Sequence, residues 1–235
     1  MNKLELLHEG KAKRIYSTEA PELVVQEFKD DATAFDGSKK SVIKNKGEVN
    51  CSISTILFQY LDSYGMENHF VKRLSPTEML VKKVDIIPIE VVMRNVATGS
   101  LVKRLPFKEA QVLPHPIFEL FLKDDSRNDP MINEYHALTL GLCKPEDIRI
   151  MYRGATKINA VLKSFFERRG LTLVDFKLEF GKVNDEIILA DEISPDTCRL
   201  WDKETHKKLD KDRFRYDLGE VEDAYHEVLN RISNI

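Results

Sequence analysis

Residues 171–201 read LTLVDFKLEFGKVNDEIILADEISPDTCRLW, and the reading of this stretch decides the fold. Leu171, Leu173, Phe176, Leu178 and Phe180 are strand formers, and Asp175, Lys177 and Glu179 stand two residues apart among them. Successive side chains of a β-strand point to opposite faces, so the three charges share one face. Asn184-Asp185 is a turn signal, and the apolar run 187–190 behind it reads as a returning strand. That run ends in Asp191-Glu192, with Ser194-Pro195-Asp196 and Arg199 following. The prediction is a hairpin with a carboxylate–ammonium–carboxylate row on one strand and an acidic pair at the end of the next.

A strand of alternating charge is most often half-exposed, with a solvated polar face. Two features argue for more. Asp191 and Glu192 arrive where the partner strand comes back level with Glu179. An acidic cluster beside a lysine is also what a divalent ion and a phosphate chain require: hard oxygens for the metal, a cation for the phosphate oxygens. Geometry sets a condition. A two-residue loop at Asn184-Asp185 would pair Glu179 with Ala190 and put Asp191 on the far face. Glu179 and Asp191 share a face only across an odd-length loop or a bulge, and the odd loop is the expectation.

LVDFKLEFG at 173–181, followed by LADEISPDTCRLWD at 189–202, resembles the signature region of the SAICAR synthetase (phosphoribosylaminoimidazole-succinocarboxamide synthase) family of purine biosynthesis. The resemblance covers essentially the whole chain. It implies an α+β, two-lobed fold related to protein kinases and ATP-grasp enzymes, with antiparallel sheets flanked by helices. On that pattern residues 1–84 form a β-rich lobe whose glycine turn covers the ATP phosphates, and 85–235 a larger α+β lobe with ribotide, metal and aspartate sites. It implies an enzyme that uses ATP and Mg2+ to join L-aspartate to a carboxylated aminoimidazole ribotide (CAIR), and it suggests a homodimer.

Composition agrees with a globular chain. Hydrophobic residues make up 42% and charged residues 32% of 235, enough for one large domain or two small lobes with a real core. A net charge of −3 argues against a general nucleic-acid binder, which is usually basic, but not against a phosphate ligand held by local cations. Cys51, Cys143 and Cys198 are odd in number and far apart, which gives neither a zinc spacing nor a disulfide framework and fits a reducing cytoplasm. Met1-Asn2-Lys3 is followed by acidic residues rather than an apolar signal core. The longest apolar run, 86–93, holds Pro88 and Glu90 and is too short to span a bilayer, so no membrane partner is expected.

Residues 4–7, 14–16 and 23–28 read as an N-terminal meander whose first turn is Gly10-Lys11-Ala12-Lys13. Such a turn can offer N–H and ammonium groups to a triphosphate, although most glycine–lysine turns are only solvated. The resemblance places this turn over the ATP phosphates. Asp36-Gly37 and Lys46-Gly47 punctuate a loop in which Asp36 and Lys39 can border a ligand. Residues 48–64 form a helix by the spacing of Val49, Ile53, Ile56, Leu57, Tyr60 and Leu61, stopped by Gly65. Residues 69–73, 78–84 and 89–94 are successive strands. The resemblance implies that the connector after the second, with Val81, Lys82 and Val84, offers backbone groups to adenine.

Glu90, Val92 and Arg94 share a strand face, and 95–100 (NVATGS) form a polar loop. Arg94 with Ser100 suits a phosphate monoester through a bidentate guanidinium and a hydroxyl, where a lone strand-end arginine is more often a surface ion pair. The resemblance implies the ribotide phosphate. Pro106, Pro114 and Pro116 mark a long irregular loop. Lys123, after the apolar run 118–122, is either solvated or, as the resemblance implies, at the nucleotide. Pro145 opens a helix in which Ile158, Val161, Leu162 and Phe165 form a packing stripe ending at Gly170. Trp201 is a core residue. Arg213 and Arg215 share a face if 202–215 is extended and can then bind a carboxylate, or are solvated. The last helix buries Val221, Ala224, Tyr225, Val228, Leu229 and Ile232.

The chemistry implied is amide formation through an acyl phosphate, in which the protein supplies alignment and charge neutralisation. Glu179 and Asp191 are expected to hold magnesium, with Lys13 and Lys123 on the phosphates. Lys177, between the two carboxylates of its strand, should stabilise the transferring phosphoryl group, and Asp175 orients or deprotonates the aspartate amine. Glu90, Arg94, Ser100, Asp196 and Arg199 should line the ribotide site, and Arg215 meets the aspartate carboxylate. A small-molecule kinase on the same architecture and a nucleotide-sensing module without turnover are the other readings.

Overall fold

The computed structural model describes residues 2–34 and 39–233; Asp36 and Gly37 lie outside the described residues. The chain runs β1 (Leu6–Glu9), β2 (Lys13–Ser17), β3 (Leu23–Phe28), β4 (Asp31–Ala34), β5 (Lys39–Val42), α1 (Lys46–Asp62), β6 (Phe70–Ser75) and β7 (Glu78–Lys82). It continues through β8 (Asp85–Val96), α2 (Ser100–Arg104), β9 (Val112–Leu122), β10 (Met131–Ile132), α3 (Glu134–Thr139) and α4 (Pro145–Glu167). The last elements are β11 (Leu171–Val183), β12 (Glu186–Ala190), β13 (Cys198–Asp202), α5 (Asp212–Arg215) and α6 (Val221–Ser233).

The first sheet has the order β1-β2-β3-β7-β6 and the second β10-β9-β8-β11-β12, with β13 also on β11. A small β4-β5 hairpin stands apart from both. Every ladder is antiparallel. The chain leaves the first sheet at Lys82 and enters the second at Asp85, so the short segment Lys83-Val84 joins them.

Strand β11 is the axis of the second sheet. It pairs with β8 from Asp175 to Lys182, with β13 over its first half and with β12 over its second. A strand flanked on both edges can be long, and β11 runs for 13 residues. Helix α4 packs against β11, and its buried Met151, Ile158, Leu162 and Phe165 belong to the same core as Phe176, Leu178 and Phe180. Pro145 takes the first turn of α4, where its missing N–H costs nothing. Asp147 caps that end by accepting from the Lys144 N–H at 2.9 Å. Helix α1 packs on β3, β6 and β7 and also on α6. Gly65, at φ +67°, ends the chain's turn beyond α1 as its sequence signal requires.

Three expectations are corrected. The hairpin turn at Asn184-Asp185 has two residues, not an odd number: Val183 pairs with Glu186, and Glu179 with Ala190. Both turn residues lie in the left-handed region, at φ 49° and 67°, the twist that suits a two-residue hairpin. Second, residues 106–116 are not one long loop, because β9 runs through Pro114 and Pro116. Its ladder with β8 skips from Ile117 to Val112, and β10 pairs only with Leu120 and Phe121. The two prolines therefore sit where no ladder N–H is needed. Third, Arg213 and Arg215 are not alternate residues of an extended segment but lie in the helical turn α5. The Arg213 guanidinium donates to the carbonyls of Lys208, Leu218 and Gly219 and holds that turn together.

Gly181 sits where β11 meets the inter-sheet segment. A Cβ there would come within 2.7 Å of Val84 Cγ2 and 2.8 Å of Val84 Cβ. Gly181→Ala should lower the free energy of unfolding by about 1–3 kcal/mol, the usual cost of overpacking. Urea titration of the two proteins checks it, and an unchanged midpoint would refute the close approach.

Candidate active site

A cavity of about 640 Å³ lies between the two sheets. Apolar side chains from the first sheet, Ile15, Val24 and Val81, line one part of it, with Val84 from the inter-sheet segment. Lys13, Lys123, Lys177, Glu179 and Asp191 line another. A second cavity of about 310 Å³ adjoins it and is walled by Arg94, Asp175, Arg199 and Arg215. Glu90, Lys177, Asp196 and Lys211 belong to both walls. An apolar-and-cationic chamber thus opens into a guanidinium-lined one, with Lys177 at their junction.

The strand row places its charges as the two-residue period requires, but their partners differ from the expectation. Lys177 Nζ donates to Glu179 Oε1 at 2.7 Å and to Glu90 Oε1 at 2.8 Å, not to Asp175. Glu90 faces Glu179 across the β8–β11 ladder, so the lysine sits between two strands rather than along one. Lys123 reaches the other Glu179 oxygen at 2.6 Å. Asp175 is taken by Arg94 at 2.9 Å and by Arg199 at 2.9 and 3.1 Å.

Asp191 reaches the cavity by another route than the odd loop. In regular extension after Ala190 it would point away from Glu179. Its backbone instead turns into the left-handed region, φ 66°, one residue past the end of β12. Lys13 pairs with Asp191 and also with Glu192 Oε1 at 2.7 Å, and Gln26 Nε2 donates to the Asp191 carbonyl at 3.1 Å. The left-handed turn does what a bulge would have done.

Burial and pairing pull the charges of this cluster in opposite directions, and pairing wins. Burial opposes the Lys177 charge, but Glu179, Asp191 and Glu90 raise its ammonium well above the usual lysine range. Lys13 behaves alike through Asp191, Glu192 and Glu179. Burial works to raise the Asp191 carboxyl, and Lys13 and Lys177 overcome it and hold it below the usual carboxylate range. All three stay ionised at neutral pH.

Ala12, Val81, Lys82 and Val84 are in the wall of the larger cavity, and Gly10 stands just outside it. Lys11 is at the wall but bonds to Asp125 at 2.7 Å across the cleft mouth. Ser100 is not in either wall; it accepts from Arg94 Nη2 at 3.0 Å. Lys39 lies outside both walls, donating to the Phe214 carbonyl and to Asp217, each at 2.6 Å. Arg215 donates to Asp212 Oδ1 at 2.7 Å beside the smaller cavity.

Sequence reasoning missed several residues here. Lys46, at the first turn of α1, is buried and pairs with Asp196 Oδ2 at 2.7 Å, while Tyr225 of α6 donates to Oδ1 at 2.7 Å. Tyr225 was legible as packing only, and no local pattern marks Lys46. Lys211 and His69 were also missed, and Glu192, though read as half of the acidic pair, was given no role of its own.

The donor set fits a divalent cation of the magnesium type. Glu179 and Asp191 bring hard carboxylate oxygens to one cavity. Among the described residues no cluster of three or more metal-ligating side chains forms. Magnesium is commonly held by only one or two carboxylates, the remaining positions going to water and phosphate oxygens.

Fold and site together define an enzyme cleft for polyanionic ligands, built between two antiparallel sheets. A SAICAR synthetase family model matches residues 6–232. A phosphoribosylaminoimidazole-succinocarboxamide synthase from Chloroherpeton thalassium is 59% identical over 232 residues, 99% of each chain. The crystal structure of the synthase from Ehrlichia chaffeensis superposes with a TM-score of 0.95 at 44% identity, covering 98% of this chain and 99% of that one. A SAICAR synthetase in complex with ADP gives a TM-score of 0.95 at 48% identity, covering 98% of both. The chain belongs to the SAICAR synthetase family.

His69 lies in the wall of the larger cavity, fully enclosed, with no partner at Nε2. Burial pushes its imidazole down to about 4. A group depressed from about 6.5 contributes stability that is present above pH 6.5 and lost as pH falls through 4. The full loss for such a shift is on the order of 3 kcal/mol. His69→Gln should remove that loss: between pH 7 and pH 4.5, without nucleotide or metal, its unfolding free energy should fall less than that of the parent protein. Equal falls in urea titrations would refute it.

Proposed function

We propose that the chain is an ATP-dependent ligase of purine biosynthesis that joins L-aspartate to the carboxylate of CAIR, giving SAICAR, ADP and phosphate. The observation that carries the reading is Lys177, fixed where the apolar-and-cationic cavity meets the guanidinium-lined one. A phosphoryl group passing from a nucleotide in the first to a carboxylate in the second must cross at that ammonium.

The base of ATP belongs with Ile15, Val24, Val81 and Val84, where a flat apolar ring loses water and the backbone of Lys82 and Val84 is at hand. The phosphates belong with Lys13 and Lys123, and with Lys11, Ala12 and Gly10 of the first turn. Glu179 and Asp191 are the residues that hold magnesium, which when bound neutralises phosphate oxygens. The ribotide belongs in the smaller cavity, its phosphate against Arg94 and Arg199 with Ser100 beside Arg94, its remaining polar groups near Glu90 and Asp196. Arg215 is placed for an aspartate carboxylate.

In this arrangement the terminal phosphoryl group moves from ATP to a carboxylate oxygen of CAIR, and Lys177 offsets the charge spread over it. The aspartate amine then attacks the acyl carbon, the C–N bond forms, the C–O bond to phosphate breaks, and the released phosphate carries away the proton that the amine loses. Asp175, with both oxygens taken by guanidiniums, orients the arginines; the geometry does not favour it as the base.

The two sheets joined by Lys83-Val84 support the division at 84/85; a kinship with protein kinases and ATP-grasp enzymes is what the family resemblance implies. Three free cysteines fit a cytoplasmic protein. The family resemblance also suggests a homodimer.

Incubation with ATP, CAIR and aspartate should release free phosphate and an amide, with none when either co-substrate is omitted. Phosphate left on an acceptor hydroxyl would make the enzyme a kinase instead. Lys177→Met should lower kcat by a factor on the order of 100 or more, as loss of a group aimed at developing charge does; near-normal turnover would rule out its role.

A further inference from the structure

Behind the smaller cavity runs an unbroken row of alternating charge. Arg104 Nη2 donates to Glu119 Oε1 at 2.7 Å, and Glu119 Oε2 accepts from Arg94 Nε at 2.6 Å. Arg94 passes to Asp175, and Asp175 to Arg199, each at 2.9 Å. Arg199 Nε donates to Asp212 Oδ2 at 2.8 Å, and Asp212 Oδ1 accepts from Arg215. Arg94, Arg199 and Arg215 are in the cavity wall; Glu119 and Asp212 are not. Their side chains are 3% and 2% exposed, so they are set behind the arginines they bind.

We infer that Glu119 and Asp212 are positioning residues that fix the guanidiniums of Arg94 and Arg199 for the phosphate of the ribotide. The inference rests on the reading of that cavity as the ribotide site. A guanidinium carries five N–H groups. In Arg94 one goes to Glu119, one to Asp175 and one to Ser100, which fixes the fork in one plane and leaves two for a ligand. Each acid bridges two arginines that would otherwise repel each other. Burial works to raise the Asp212 carboxyl, and Arg199 and Arg215 overcome it, so the bridge stays charged at neutral pH. Preorganisation of this kind acts on binding of the anion, since the arginines no longer lose freedom when it arrives.

The signature is a phosphate-specific defect. Initial rates are measured with CAIR and with the same nucleoside lacking the 5′-phosphate, for the parent enzyme, Glu119→Ala, Glu119→Gln and Asp212→Asn. Glu119→Ala should raise KM for CAIR at least tenfold with kcat within about threefold, and leave kcat/KM for the unphosphorylated nucleoside within about twofold. Glu119→Gln keeps one acceptor and should recover part of the loss. Asp212→Asn tests the other end of the row and carries the inference alone if Glu119→Ala does not fold. Equal losses on both substrates would show a merely structural role and overturn the inference, as would an unchanged ratio in Glu119→Ala and Asp212→Asn. A parent enzyme indifferent to the phosphate would instead overturn the ribotide reading itself.

Discussion

The pairing of Lys177 with Glu90 and Glu179 governs the cleft. Each of these charges is partly or wholly withdrawn from water, and a buried charge left without its partner costs several kcal/mol. The same holds for Lys13 with Asp191 and Glu192, and for Lys123 with Glu179. Lysines and acids therefore neutralise each other with no ligand needed. A polyphosphate can take the lysines only if the acids find another cation, and a metal can take the acids only if the lysines find another anion. Bound singly, either ligand strands one half of the cluster; bound together, they exchange partners with it. On this charge balance a polyphosphate and a divalent cation would each favour the other's binding with no moving part needed.

That cluster depends on the register of β11. Glu179 stands opposite Glu90 on one side and Ala190 on the other. A shift of one residue would send the whole charged row to the face that α4 covers, among Met151, Ile158 and Phe165. The core thus selects the register and the register assembles the site. Gly181, against Val84, allows the inter-sheet segment to lie on the same strand that carries the lysine. The apolar and the cationic parts of the larger cavity are consequently spaced by one strand and one short connector.

What was legible in the sequence was local and periodic. The period-two row of β11 and the helical stripes of α4 and α6 are written within a few residues, and the signature motifs made the family readable. What was not legible depended on a single dihedral or on distant partners. Nothing in Ala190-Asp191-Glu192 announces a left-handed aspartate, so an odd loop or a bulge was the visible way to bring the two acids together, and the odd loop was the one expected. Pro114 and Pro116 signalled a loop because the ladder skip that tolerates them is set by β8. Lys46 and Glu119 look like ordinary charged residues of a helix start and a strand; their meaning comes from Asp196 and Arg94, far along the chain.

Asp196 shows how far the site extends into the scaffold. It lies in the walls of both cavities, yet takes Lys46 from α1 and Tyr225 from α6. Lys46 and Tyr225 are almost wholly enclosed. Burial works to raise the Asp196 carboxyl, and Lys211 and Lys46 overcome it, so it remains an anion. Replacing the whole group with apolar side chains could be neutral for stability, as it often is for buried ion pairs. Such a core could pack α1 on α6 but would remove one of the fixed negative charges, beside Glu90, where the cavities join. Helix packing by itself does not call for a charge at this place, whereas a cleft for charged ligands does. The ion pair is therefore better explained by the cleft than by the packing, although most of its atoms belong to the core.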